Sequence, residues 1–230
     1  MTFNIFGDNA IEIGNNNPLG LTPGKYKIEY EKKLPTGANS AKANIDACLT
    51  SEFGEEKEIV LFEMKMTEWL LNNPRKIPEV YLKADNELIG FTKKFIDETN
   101  PYKDKKGKVH YPANTVYFDV IQVILHICGI FHSVKNGNFR DVKKIVLACG
   151  MWTIESGDFF CKDPENQYKK YSNIYNEMEK EFEEFYNNLE PIQKLFRKMG
   201  IEEFDVKKMS VKEIIECLGK TNEPYLKRYI

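Results

Sequence analysis

Between Thr115 and Val134 apolar residues run almost all the way round a helical wheel, interrupted by Asp119, Gln122, His126 and His132. A helix of that kind has to be covered on nearly every side. A short turn at "NGN" leads from it into Val142 to Cys149, a compact β-branched run that reads as a buried strand, and Ile59 to Met66 upstream is another. A buried helix between two strands that both belong in a core is a crossover unit. The expected class is therefore α/β, with some parallel pairing in the sheet.

The strands before that unit are read from alternation. In Lys25 to Glu31, Tyr26, Ile28 and Tyr30 share one face while Lys27, Glu29 and Glu31 share the other. Ala43 to Leu49 and Ile59 to Met66 flank the polar "TSEFGEEKE", whose Gly54 and charges suit a hairpin, so these segments form a β-meander. The first 40 residues are otherwise rich in Gly, Asn and Pro, and "IGNNNPLGLTPG" reads as loop. Beyond Trp69, "NNPRKIP" breaks the chain, Asn86 to Thr99 reads as a helix carrying Leu88, Phe91 and Phe95, and "NPYKDKKGKVHYPAN" is a basic loop.

The last third reads as helical. Asp163 and Pro164 start a long charged helix reaching about Leu189, with Tyr168, Tyr171, Ile174, Tyr175, Met178, Phe182 and Phe185 on one side. Pro191 restarts a helix that Gly200 ends, and Ser210 caps a final short one over "VKEIIECLG". With no repeat and no long linker, the chain is expected to be one domain, an α/β core over 1–150 with a helical portion over 151–230 packed on it.

Composition narrows the functions. Lysine and arginine number 33 against 35 aspartates and glutamates, a net charge of −2, so any nucleic-acid surface must be local. Apolar runs fall short of a membrane span and the N-terminus lacks a signal-peptide pattern, which leads us to expect a soluble cytoplasmic protein with no membrane partner. The five cysteines are scattered, without C-x-x-C spacing, and are expected to be reduced structural thiols rather than zinc or iron–sulfur ligands.

The chemistry concentrates in "EIVLFEMKM". On a pleated strand Val60, Phe62, Met64 and Met66 point one way, and Leu61, Glu63 and Lys65 the other. Two opposite charges thus lie in a strand apolar enough to be central, where an unpaired charge costs several kcal/mol. If the strand were at an edge, Glu63 and Lys65 would be a wet pair worth roughly 0 to 1 kcal/mol. In "ANIDACL", Asp46 is a lone carboxylate in another apolar strand, and 16 residues separate it from Glu63, enough for a hairpin that brings both to one face. Two hard carboxylates suit Mg²⁺ or Mn²⁺, and a neighbouring ammonium suits a phosphate or its attacking water. Asp46 and Glu63 are the expected metal ligands, with Lys65 acting on water and phosphate.

Asp46 followed by Glu63-Met64-Lys65 resembles the D…E-x-K signature of the PD-(D/E)XK nuclease superfamily, the restriction-endonuclease-like fold. The continuation "MTEW", the helix "YFDVIQVILHICGI" and the strand "VKKIVLAC" are similar to that family's αβββαβ order. "FNIFG", "KIEYEKKLPTGANSAKANIDACL" and "FEMKMTEW" resemble a bacterial group of restriction-endonuclease-type proteins within it. The likeness covers roughly residues 3 to 150 and leaves the helical C-terminus unexplained. It implies a Mg²⁺-dependent endodeoxyribonuclease (Mn²⁺ serving as well), DNA as partner, a homodimer as in many restriction enzymes, and a role for Gln122 beside the metal water or Lys65. The family's first-helix acid has no counterpart here, Glu29 or Glu31 standing as substitutes, and Ile45 replaces the proline of the family name.

Other residues are read both ways. Asp119, Gln122 and His126 are either a hydrogen-bonded polar trio in the core or part of the site. Lys103, Lys105, Lys106 and Lys108, with Lys93, Lys94, Tyr102 and Tyr111 nearby, are either a solvated loop or a phosphate-contacting surface. The acidic "NEMEKEFEEF" helix belongs away from DNA. Two alternatives stand beside the restriction-like enzyme: a noncatalytic interaction or nucleic-acid-binding protein with the same fold, and a repair or structure-specific nuclease.

Overall fold

A computed structural model of the chain describes residues 5–7, 9–38, 41–65, 75–84, 86–151 and 164–220. Four antiparallel strands come first: β1 (Ala10–Ile13), β2 (Gly24–Pro35), β3 (Lys42–Ser51) and β4 (Lys57–Lys65). A three-stranded sheet is then built from β5 (Lys76–Pro78), β6 (Tyr102–Lys103) and β7 (Val109–Pro112), in the order β5-β7-β6. Between β5 and β6 lie α1 (Glu79–Ala84), α2 (Asn86–Thr92) and a 3₁₀ turn over Lys93–Phe95. Helix α3 (Val120–Lys135) crosses over to β8 (Val142–Met151), which pairs parallel with β4. The chain continues through α4 (Pro164–Asn187), α5 (Glu190–Lys198), β9 (Glu203–Ser210) and α6 (Val211–Cys217). The large sheet has the order β1-β2-β3-β4-β8-β9, a mixed sheet in an α/β protein.

Strands β4 and β8 sit inside this sheet and are buried on both faces, which is why their sequences are near-continuous apolar runs. On one face Cys48, Leu61, Leu147 and Cys149 pack with Ile121, Ile124 and Cys128 of α3. On the other, Ala47, Leu49, Val60, Phe62 and Met64 pack with Ile5, Phe6, Ile214 and Ile215. Helix α3 approaches the β2–β3 hairpin closely, because Gly129 presents no Cβ where Leu34 Cβ would be met at 2.8 Å.

Several expectations change. The C-terminal portion is not all helix: β9 pairs parallel with β8 and adds a strand to the sheet. Its segment "EFDVKKMS" mixes charge with a broken alternation and carries little strand signal. β1, for which no strand was expected, lies just before the expected loop and shares only Ile13 with it. The helix expected over Asn86 to Thr99 is shorter, tightening to 3₁₀ at Lys93 and ending where Ile96 bridges Ala113. Helix α3 starts at Val120 rather than Thr115, since Asp119 caps it by accepting from Gln122 N. The basic loop is partly a β-ribbon, β6 and β7. Ser210 caps α6 with a full capping box, as its sequence suggests. Cys48, Cys128, Cys149 and Cys217 are all buried thiols, while Trp69, Asp163 and Cys161 lie outside the described residues, as does Met66.

Candidate active site

The β3–β4 ladder runs from Thr50 opposite Ile59 to Ala47 opposite Phe62 and goes no further. The strands part there, while β4 stays paired with β8 as far as Lys65 opposite Met151. A backbone N–H left behind by a parting strand needs another acceptor. Asp46 supplies it, its Oδ2 accepting from Met64 N at 2.7 Å. The carboxylate is thereby fixed at the mouth of the gap between the two strands.

Glu63 lies one residue before Met64, on the face toward α3, and is only 5% exposed. Its central position excludes the wet edge pair. Lys65 Nζ lies 3.2 Å from Glu63 Oε1, and Gln122 Nε2 donates to the same oxygen. His126, one turn along α3 from Gln122, brings Nε2 to 3.0 Å from Glu63 Oε2. That approach lies off the direction of a good ring hydrogen bond. Glu63 Oε2, Gln122 Oε1 and both His126 ring nitrogens therefore have no aligned hydrogen-bond partner among the described residues. The helix cap joins the same assembly: Asp119 Oδ1 accepts from Gln122 N at 3.2 Å, and its Oδ2 pairs with Arg75 Nε at 2.7 Å.

The electrostatics separate the carboxyls. Burial, then the charge of Glu63, pushes the Asp46 carboxyl above its ordinary value. Burial pushes Glu63 up as well, but His126 and Lys65 outweigh it and hold Glu63 below the ordinary range. Asp119 is raised by burial against the pull of Arg75. Cys149, opposite Glu63 on β8, is wholly buried and its thiol is pushed far up, which makes it inert.

Asp46, Glu63, Lys65 and Gln122 thus come together around one point of the sheet. Hard carboxylate oxygens suit a divalent cation such as Mg²⁺, and Glu63 Oε2, although His126 Nε2 lies 3.0 Å away, has no aligned hydrogen bond to satisfy it. Among the described residues no group of three or more His, Cys, Asp or Glu side chains is arranged to hold a metal ion. Arg75 was not singled out by sequence, because a lone arginine in a chain break carries no periodic signal.

Lys103, Lys105, Lys106 and Lys108 do not enter this cluster. They are exposed on the β6–β7 ribbon, where Asp104 Oδ1 accepts from Lys106 N at 2.8 Å and Lys108 N at 2.9 Å and so pins the turn. His110 on the same ribbon is half-buried, with its Nε2 3.1 Å from Asp104 Oδ2. The ribbon's sheet is continued by β5, which begins just after Arg75, so the ribbon and the site share one connection. The aromatic side of α4 is covered by the chain itself: Met178 and Phe185 are buried in the core, with Ile174, Tyr175 and Phe182 packed against it. Compared with protein families, with curated proteins and with solved structures, the chain matches none.

Proposed function

We propose that this protein is a divalent-metal-dependent nuclease that hydrolyses phosphodiester bonds of DNA, in the manner of restriction-endonuclease-like enzymes. One observation carries the reading: Asp46 and Glu63, with Lys65 against Glu63, sit where β3 parts from β4. The succession of a meander, α3 and the parallel strand β8 supports it, being similar to the βββαβ part of that fold.

In this reading Asp46 and Glu63 hold the ion. Mg²⁺ or Mn²⁺ bound there supplies Lewis-acid stabilisation of phosphate charge and a more acidic water. Met64 N and Gln122 lock the two carboxylates in place, so little reorganisation accompanies binding. Lys65 brings a positive charge that stabilises the phosphate as negative charge grows on it. Gln122 Oε1, which has no protein hydrogen-bond partner, would accept a hydrogen bond from a bound water and orient it. The lysines of the β6–β7 ribbon neutralise backbone phosphates and position the duplex.

Cleavage of supercoiled plasmid in Mg²⁺ by wild type, Asp46→Ala and Lys65→Ala tests this. We expect nicked or linear product from the wild type only; equal residual activity in all three, or cleavage of no DNA by any, rejects the site. A second reading draws on the contacts of Glu63 with Lys65, Gln122 and His126 as a buried network sufficient for a purely structural role, in a noncatalytic nucleic-acid-binding protein. Saturable Mn²⁺ binding that Glu63→Ala abolishes favours the enzyme.

A further inference from the structure

Arg75 stands where the sheet of the β6–β7 ribbon meets the site helix. Its carbonyl accepts from Ala113 N at 3.3 Å, which continues the pairing of Lys76 with Pro112 by one more step, and from Ala113 the chain runs directly on to Asp119, the cap of α3. The arginine is therefore fixed at both ends. Its Nε lies 2.7 Å from Asp119 Oδ2, while Asp119 Oδ1 accepts from Gln122 N. Asp119 in turn lies within reach of the charges of Lys65 and Glu63, which act on its carboxyl in opposite directions. Arg75 thus borders the carboxylate site rather than lying out on the ribbon.

An ion pair as open as this one contributes roughly 0 to 1 kcal/mol, so stability alone gives little reason for an arginine here. Asp119 already faces the positive end of α3 as its cap and does not depend on Arg75 for its balance. What the pair does is orient the guanidinium. The Arg75 side chain is 49% exposed, Asp119 engages its Nε, and its two terminal nitrogens make no hydrogen bond or ion pair among the described residues. Those nitrogens form the planar fork that matches two oxygens of one phosphate. Lys76 follows, exposed, with Nζ over the ring of Tyr102, which is itself 47% exposed. Lys65 at Glu63, Arg75 at Asp119 and Lys76 at Tyr102 form a succession of cations from the site to the ribbon.

We propose that Arg75 binds, through the two terminal nitrogens of its guanidinium, a phosphate of the nucleic-acid strand next to the one that Lys65 meets, and so sets the path of the strand from the site toward the β6–β7 ribbon. This rests on the reading of Asp46, Glu63 and Lys65 as a phosphodiester-cleaving site, and it narrows the substrate to polymers. A chain of consecutive phosphates is held at two points, whereas an isolated phosphodiester reaches Lys65 alone.

The test is the affinity of the full chain for a fluorescein-labelled duplex of mixed sequence, read by anisotropy with Ca²⁺ in place of Mg²⁺, for wild type, Arg75→Ala, Asp119→Asn and the two substitutions combined. Mn²⁺ affinity and a thermal melt accompany each. Asparagine keeps an oxygen to accept from Gln122 N and removes the charge beside Arg75, so the double variant strands no carboxylate. We expect Arg75→Ala to weaken duplex binding about ten-fold or more, to flatten the logarithmic salt dependence by about 0.9 for the one phosphate released, and to leave Mn²⁺ affinity unchanged. The double variant should remain about ten-fold weaker than Asp119→Asn alone. Wild-type duplex affinity in Arg75→Ala, or a double variant that binds as well as Asp119→Asn, confines Arg75 to neutralising Asp119 and overturns the proposal, while plasmid cleavage by the wild type leaves the site standing. A wild type that neither binds duplex nor cleaves plasmid overturns the site itself, and the role of Arg75 with it.

Discussion

The two central carboxyls are held in opposite ways, and that opposition is measurable. Asp46 is raised, so in the cation-free protein its charge is a cost that is present at neutral pH and disappears as pH falls through its folded value. Glu63 is lowered, so it contributes stability above its unfolded value that is lost as pH falls through its folded one. Asp46→Asn is therefore expected to melt higher than wild type at neutral pH, and Glu63→Gln lower, by about 1–3 kcal/mol for the loss of a charged hydrogen bond. Both differences should close in acid, and melts of the metal-free protein across that range check the two signs. Mn²⁺ affinity should fall on acidification, from a higher pH than an unperturbed aspartate would give, because Asp46 must give up its proton to bind the ion. At this scale the sequence was informative: spacing two apart put Glu63 and Lys65 on one face, and alternation put Asp46 in the neighbouring strand. It did not reveal that Asp46 would cap Met64 N, or that His126 would reach Glu63, since both depend on where β3 leaves β4 and on how α3 is rotated.

Among the elements, α3 and β8 were legible because burial on all sides leaves a plain apolar run, whereas β1, β5, β6 and β9 were not. Strands of two to four residues, such as β5 and β6, have no room for a period, and β9 is an outer strand whose lysines interrupt its alternation. The start of α3 is set from a distance: the Glu181 carboxylate on α4 accepts from Val116, Tyr117 and Phe118 N at 2.7–2.9 Å. Glu181→Ala removes an acceptor from three backbone donors next to the site helix, and we expect a loss of about 1–3 kcal/mol by denaturant titration. The contact between β4 and β8 has its own test. A Cβ on Gly150 would meet Met64 Sδ at 2.5 Å and Ile214 Cδ1 at 2.7 Å, so Gly150→Ala should cost about 1–3 kcal/mol through overpacking beside the active strand.

Across the whole molecule, near-balanced charge means that any attraction to DNA has to come from a local concentration of lysine. The β6–β7 ribbon provides one, with its turn fixed by Asp104 and Lys76 Nζ lying 4.0 Å from the ring centre of Tyr102. Replacing Lys103, Lys105, Lys106 and Lys108 together by alanine is expected to weaken binding to any duplex. The logarithmic salt dependence should flatten as well, by about 0.9 for each phosphate that a lysine no longer neutralises. Mn²⁺ affinity should stay unchanged, and fluorescence anisotropy over a salt series reads the difference. Met178, Phe182 and Phe185 on the aromatic side of α4 are taken up by the chain's own core, so they are not available as a contact between two copies. No helix among the described residues is long and apolar enough to cross a membrane.

The central claim is that a divalent cation is held between Asp46 and Glu63 where two strands part. Anomalous diffraction at the manganese edge, from crystals of the full chain grown with Mn²⁺, tests it most directly. We expect a peak within direct coordination distance of carboxylate oxygens of both residues. Crystals in which Asp46 and Glu63 hold no ion, with manganese elsewhere or nowhere on the protein, would contradict it.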